Sequence, residues 1–148
     1  MMEIKEIASL AFNGVVLCLL SAQDIKKKKV GLIPVLVLAI VNAGLAALCG
    51  RTALEILCGL IPGVMALGIS VLTGGKLGAG DGLVLMGLGL LYGWDRTLLI
   101  WFAGLFLSAV TGMILLGLKK VKLKTAIPFV PFICLGFATV NLWEKTAG

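Results

Sequence analysis

Histidine is absent from this chain, carboxylates number only seven, and charged residues of both signs occupy 14% of its 148 positions. The missing histidine and the lack of any CxxC pair exclude a zinc site. The four cysteines, Cys18, Cys49, Cys58 and Cys134, lie scattered in or beside apolar runs and read as small buried apolar residues. The shortage of charge excludes a water-soluble shell. Soluble domains are about 45–50% apolar and about 25% charged, whereas this chain is 60% hydrophobic with a mean hydropathy of +1.14. A bilayer is its natural solvent, and one membrane-embedded domain over residues 1–148 is expected. In "GGKLGAGDG" no Ser or Thr follows the lysine, which excludes a phosphate-binding loop. No AxA-like site follows the first apolar run, and Glu3 and Glu6 precede it, so that run is expected to be a retained transmembrane helix.

What is present is a series of apolar runs near the length a span requires, about 17–25 residues. They are Ile7 to Ala22, Val30 to Leu48, Thr52 to Leu72, Gly82 to Trp94, Leu98 to Leu118 and Ile127 to Trp143. The fold class they predict is all-α: a polytopic membrane bundle of six transmembrane helices. A kink is expected in the third, which carries Gly59, Pro62, Gly63 and Gly68. The connections sort by charge. "DIKKKK" (Asp24–Lys29), "TGGKLGAGD" (Thr73–Asp81) and "KKVKLKTA" (Lys119–Ala126) fall on one side with nine Lys and Arg, against four on the other. Cytoplasmic loops carry the positive excess, which places that side in the cytosol and both termini outside. The lysines then face lipid headgroups, and no nucleic-acid partner is implied. Trp94, Trp101 and Trp143 read as interfacial or lipid-facing aromatics.

Only two carboxylates, Asp24 and Asp81, fall on the basic side, each at a junction of loop and helix. The fourth run has 13 residues, or about 20 Å of helix against a hydrocarbon core of about 30 Å. Asp81 is therefore expected below the headgroups, with Asp24 at a similar level. Two carboxylates at one depth in a wet recess suit acid–base hydrolysis of a peptide: one takes a proton from the attacking water, the other hydrogen-bonds the carbonyl and protonates the leaving amine. Gly78, Gly80 and Gly82 form a supporting loop where positive φ and close approach of a substrate backbone are open. Gly82, Gly87, Gly89 and Gly93 also give a small-residue packing face. Other readings stay open on the residues alone. Asp81 could cap the helix after it, and Asp24 could neutralise Lys26 to Lys29 in solvent. The pair could be relay sites of a small proton-coupled transporter or channel, or the chain could be a packing scaffold.

The motifs narrow the choice. "GAGD" (Gly78–Asp81) matches the GxGD signature. "SAQDIKKKK" (Ser21–Lys29) is similar to an aspartate-plus-basic stretch closing a helix, and "IPFVPFICLG" (Ile127–Gly136) to a PFxPF-type segment opening the last one. Together and in this order they resemble the type IV prepilin peptidases and their preflagellin relatives, GxGD intramembrane aspartic proteases. The resemblance implies that Asp24 and Asp81 are catalytic. It implies cleavage of the leader of type IV prepilin-like precursors after a glycine at the cytoplasmic membrane face, with no metal or organic cofactor. Pro128, Phe129, Pro131 and Phe132 are then candidate walls of the cleft. Nothing matches the CxxC-bearing extra domain of larger members, so a peptidase-only short form without N-methylation is expected. Where those enzymes often carry an IPN-like tripeptide after the first aspartate, this chain reads "VGLIP" (Val30–Pro34).

Overall fold

The computed structural model describes residues 4–75, 78–122 and 127–148. Glu3, Lys76 and Lys124, which enter the charge reading above, lie outside the described residues. Among those described, the chain is all-helical: α1 (Ile4–Lys27), α2 (Leu32–Leu48), α3 (Ala53–Gly59), α4 (Ile61–Leu72), α5 (Ala79–Gly117) and α6 (Val130–Ala147). Three helical stretches are long and apolar enough to cross a membrane: Ile4–Lys27, Ala53–Leu72 and Ala79–Gly117. The shorter Leu32–Leu48 is apolar as well. Large aliphatic and aromatic side chains cover the outside, with Ile40 at 70% and Leu72 at 87% exposure. That surface suits lipid and would be costly in water. The protein is an α-helical membrane protein.

Two features of the sequence shape the bundle. Pro62 has no N–H to give the carbonyl four residues back, and the helical ladder duly breaks at Leu60, between α3 and α4. A Thr52–Glu55 capping box starts α3: the Glu55 N–H donates to the Thr52 hydroxyl, and the Thr52 N–H to the Glu55 carboxylate at 2.8 Å. The second feature is Gly93, with φ 83 and ψ 174 inside α5. A straight helix would separate Leu83 from Leu105 by about 33 Å, yet both line one cavity. The chain therefore doubles back at Gly93 into two legs, residues 79–92 and 94–117.

Each leg packs on its own partners. Along the first leg, Gly59 meets Gly89, and Gly63 lies against Gly82 and Met86. The falling second number against the rising first marks an antiparallel pair. Gly59 and Gly89 touch through their backbones, so closely that a methyl on either would overlap the other's carbonyl. The second leg is antiparallel to α6, with Gly104 against the Phe132 carbonyl and Gly136 against that of Ile100. Leu17, Leu20, Leu38, Leu85, Leu88, Ile100 and Ile133, each under 2% exposed, fill the space between.

A polar knot pins three of these elements in the apolar interior. The Asn42 amide donates to Asn13 Oδ1 at 2.8 Å and to the Gly87 carbonyl at 2.9 Å. The Asn13 amide donates in return to Asn42 Oδ1 at 3.1 Å, and also reaches the Tyr92 hydroxyl at 3.4 Å. Trp94 and Trp143 face outward as expected, at 52% and 73% exposure. Trp101 does not: it is 4% exposed within the core, because the leg after Gly93 turns that face onto α6.

Replacing Gly89 by alanine sets a methyl against backbone that cannot swing aside. A loss of roughly 1–3 kcal/mol is expected, as for other overpacked sites. Gly14 and Gly44, where an added methyl meets nothing within 4 Å, are the controls, and their alanine variants should not lose stability. Thermal midpoints of the detergent-solubilised proteins check the contrast.

Candidate active site

Asp24 and Asp81 converge. Each is 6% exposed, and both line one cavity of about 610 Å³ at the end of the bundle. They are close enough for the charge of one to act on the other. Lys28, Lys29 and Val30 from the α1–α2 connection, Leu105 and Ser108 from the second leg of α5, and Ile127 to Phe129 before α6 complete the wall.

The local sequence sets each carboxylate. α1 runs to Lys27, beyond the Ala22 limit expected from composition, because Lys26 and Lys27 extend the helix past the apolar run and give it a basic last turn. Asp24 thus sits inside the last turn rather than past the helix end. The chain leaves α1 through Lys28 in the left-handed region, φ 50, with its N–H donating to the Asp24 carbonyl at 2.8 Å. The Asp24 side chain is not a solvated counter-ion for the lysines. Its Oδ2 accepts the backbone N–H of Val130 at 3.1 Å, one of the donors at a helix start that have no partner inside the helix. An aspartate near one end of the chain thereby holds the first turn of the last helix.

Asp81 occupies the third position of α5, one turn in from Gly78. The N-cap is Gly78, which has no side chain, so Asp81 lies inside the helix rather than at its cap. The glycine stretch differs from the loop expected. Gly78 is extended at φ −63, and Gly80 and Gly82 are already helical; left-handed φ appears instead at Gly74 and Gly75, just upstream. The helix starts at Ala79 because Gly78 supplies the extended turn before it, and the absence of side chains at 80 and 82 serves packing. Gly80 abuts Val30, 2.6 Å from where its methyl would be, and Gly82 abuts Leu67. Gly78 and Gly80 do line the cavity, but Gly82 faces α4 instead.

The proline–phenylalanine segment divides in the same way. Pro128 and Phe129 form cavity wall. Pro131 and Phe132 do not, because α6 has begun at Val130 and its turn carries them away, Phe132 setting its backbone against Gly104. Ser108 is a wall residue that the sequence reading passed over. A lone serine within an apolar leg was its signal, legible only once the reversal at Gly93 is known. Asn13 and Asn42 were also passed over, although an amide inside an apolar span announces a buried partner.

Comparison of the chain with family models, with curated proteins and with solved structures gives no match. The geometry by itself defines a buried pair of carboxylates, on separate helices, at one end of a membrane bundle.

The Val130 contact makes a prediction about stability. Asp24→Asn keeps an oxygen for the Val130 N–H and should melt close to the parent. Asp24→Leu strands that buried donor, at an expected cost of about 1–3 kcal/mol. Asp81→Leu strands no such donor and should show no comparable loss. Circular-dichroism melts in detergent separate the three.

Proposed function

We propose that this protein is an intramembrane aspartic endopeptidase of the prepilin-peptidase type, cutting the leader from type IV prepilin-like precursors after a glycine. The observation that carries the proposal is the meeting of Asp24 and Asp81 on one cavity from helices far apart in the chain. The motif resemblance selected the same two residues without any knowledge of their proximity.

In this reading the reversal at Gly93 and the break at Leu60 accommodate six spans, counting 53–72 as one and the legs of α5 as two. Both termini lie outside, and the cavity opens to the cytosol at the cytoplasmic membrane, where the basic connections put it. The substrate is a leader peptide followed by a hydrophobic helix. Its scissile peptide enters the cavity in extended form, beside Gly78, which offers no side chain to obstruct it.

Chemistry follows from two carboxylates sharing one proton, since a close pair does not ionise fully at low cost. The ionised member takes a proton from water as its oxygen attacks the carbonyl carbon. The protonated member donates a hydrogen bond to the carbonyl oxygen, which becomes the hydroxyl of the tetrahedral intermediate. As the C–N bond breaks, a proton passes to the leaving amine, and the pair returns to its starting state. The Val130 N–H holds Asp24 in place throughout, a positioning role rather than a catalytic one.

Purified Asp24→Asn and Asp81→Asn variants should each lose cleavage of a prepilin-like precursor by at least about 10²–10⁴-fold, the scale of general acid–base assistance, while inserting and melting like the parent. Gel assay and amino-terminal sequencing of the product read the outcome. Full activity in either variant would falsify the proposal.

A further inference from the structure

Cys18 and Cys134 stand 116 positions apart in the chain, and the packing of α1 on α6 brings their sulfurs to 3.8 Å. Both are free thiols. A disulfide needs about 2.05 Å between sulfurs, so closure asks for a further approach of about 1.8 Å, within what side-chain rotation supplies. Cys49 and Cys58, also free, make no sulfur–sulfur contact among the described residues.

The position of the pair decides what can reach it. Cys18 is exposed on the outer, lipid-facing surface of the bundle. With Cys134 it lines a shallow groove of about 290 Å³, bordered by Leu10, Gly14, Phe137 and Ala138. Gly14 leaves open space above the groove. Cys18 precedes Asp24 by six residues, which sets it about 9 Å deeper along the helix than the carboxylate. Water-borne oxidants such as a disulfide-exchanging tripeptide do not partition to that depth, whereas a flat apolar oxidant dissolved in the lipid does.

We propose that Cys18 and Cys134 form a redox-active dithiol, closed to an intramolecular disulfide by a lipid-dissolved two-electron acceptor of the quinone class. The balance is direct. Two S–H bonds break and one S–S bond forms. The two electrons and two protons released reduce one quinone to its quinol. The bridge lies on the seam that also carries the Asp24–Val130 hydrogen bond, four residues from Val130 and six from Asp24. Oxidation therefore ties together the two helices that hold the first carboxylate. This inference does not depend on the proposed peptidase activity.

The test uses the full chain in liposomes, treated with a fully ring-substituted benzoquinone that resists thiol addition, then dissolved in denaturing detergent so that every thiol is accessible, alkylated with a maleimide and analysed by mass spectrometry. Untreated protein should take up four maleimides, one for each cysteine. Quinone-treated protein should take up two, and its digest should contain the Cys18 and Cys134 peptides joined until reductant is added. Cys18→Ser and Cys134→Ser should each leave every remaining thiol reactive, while Cys49→Ser should keep the quinone-dependent loss of two. Four maleimides after quinone treatment, loss at Cys49 or Cys58, or a bridge between two copies of the chain would each overturn the proposal.

Discussion

The architecture depends on a reversal at a single glycine. Gly93 holds φ 83 and ψ 174, a backbone region essentially reserved for glycine, which a residue with a side chain enters only at a cost of roughly 1–3 kcal/mol. Without the reversal α5 would run on as one rod of 39 residues, about 58 Å long and nearly twice the hydrocarbon thickness. With it, Leu105 and Ser108 return to the level of Asp81 and become the far wall of its cavity. At the opposite end the turn is held among charges. The Arg51 guanidinium and the Asp95 carboxylate both lie close to Gly93, and Arg96 pairs with Glu144 at 2.8 Å. That half-buried pair, still reached by solvent, adds little to stability, but it marks the end of the bundle where polar groups meet water.

The two ends of the bundle thus treat carboxylates differently. Glu144 and Asp95 lie beside arginines near the surface. Asp24 and Asp81 are taken into the protein, and burying an ionised group is expensive unless it is hydrogen-bonded or neutralised. Asp24 receives a backbone N–H that the start of α6 must place somewhere in any case. One contact therefore satisfies a helix end and a buried oxygen together. In the middle of the bundle, Asn13 and Asn42 solve a similar problem by saturating each other, so that the interior holds polar groups without holding charge.

Composition and spacing were enough to read an all-helical membrane chain and the interruption near Pro62, and they set Asp24 and Asp81 at one level, while the motif resemblance singled the two out as a pair. These features rest on local rules: apolar length, a proline's missing N–H, and a charge too rare to be placed idly. What sequence did not disclose depends on which helix faces which. Gly80 looked like a loop glycine because GAGDG carries no sign of where the helix begins, and of the two readings of Gly82, supporting loop and packing face, the packing face holds; both glycines are inside α5, and Val30 and Leu67 leave no room for a side chain on them. Trp101 looked lipid-facing for the same reason, since only the reversal at Gly93 brings its face onto α6. The apolar runs ending at Trp94 and resuming at Leu98 did mark a break there, but not that Gly93 itself makes it.

The common level of the two carboxylates follows from where α1 and α5 touch. The Asn13 amide reaches the Tyr92 hydroxyl, and from that contact Asp24 and Asp81 each lie about 17 Å along their own helices. α1 and the first leg of α5 therefore carry their carboxylates to one end of the bundle together, and both line the cavity there. Gly93, next to Tyr92, adds the third wall by the same rule: Asp81 and Leu105 stand equally far from the reversal on either side, about 18 Å each, and Leu105 lines the cavity too. The polar knot in the apolar interior and the carboxylates at the end are thus one register read at two points. Sliding α1 by a single turn along the first leg would break the first and carry Asp24 about 5 Å from the level of Asp81.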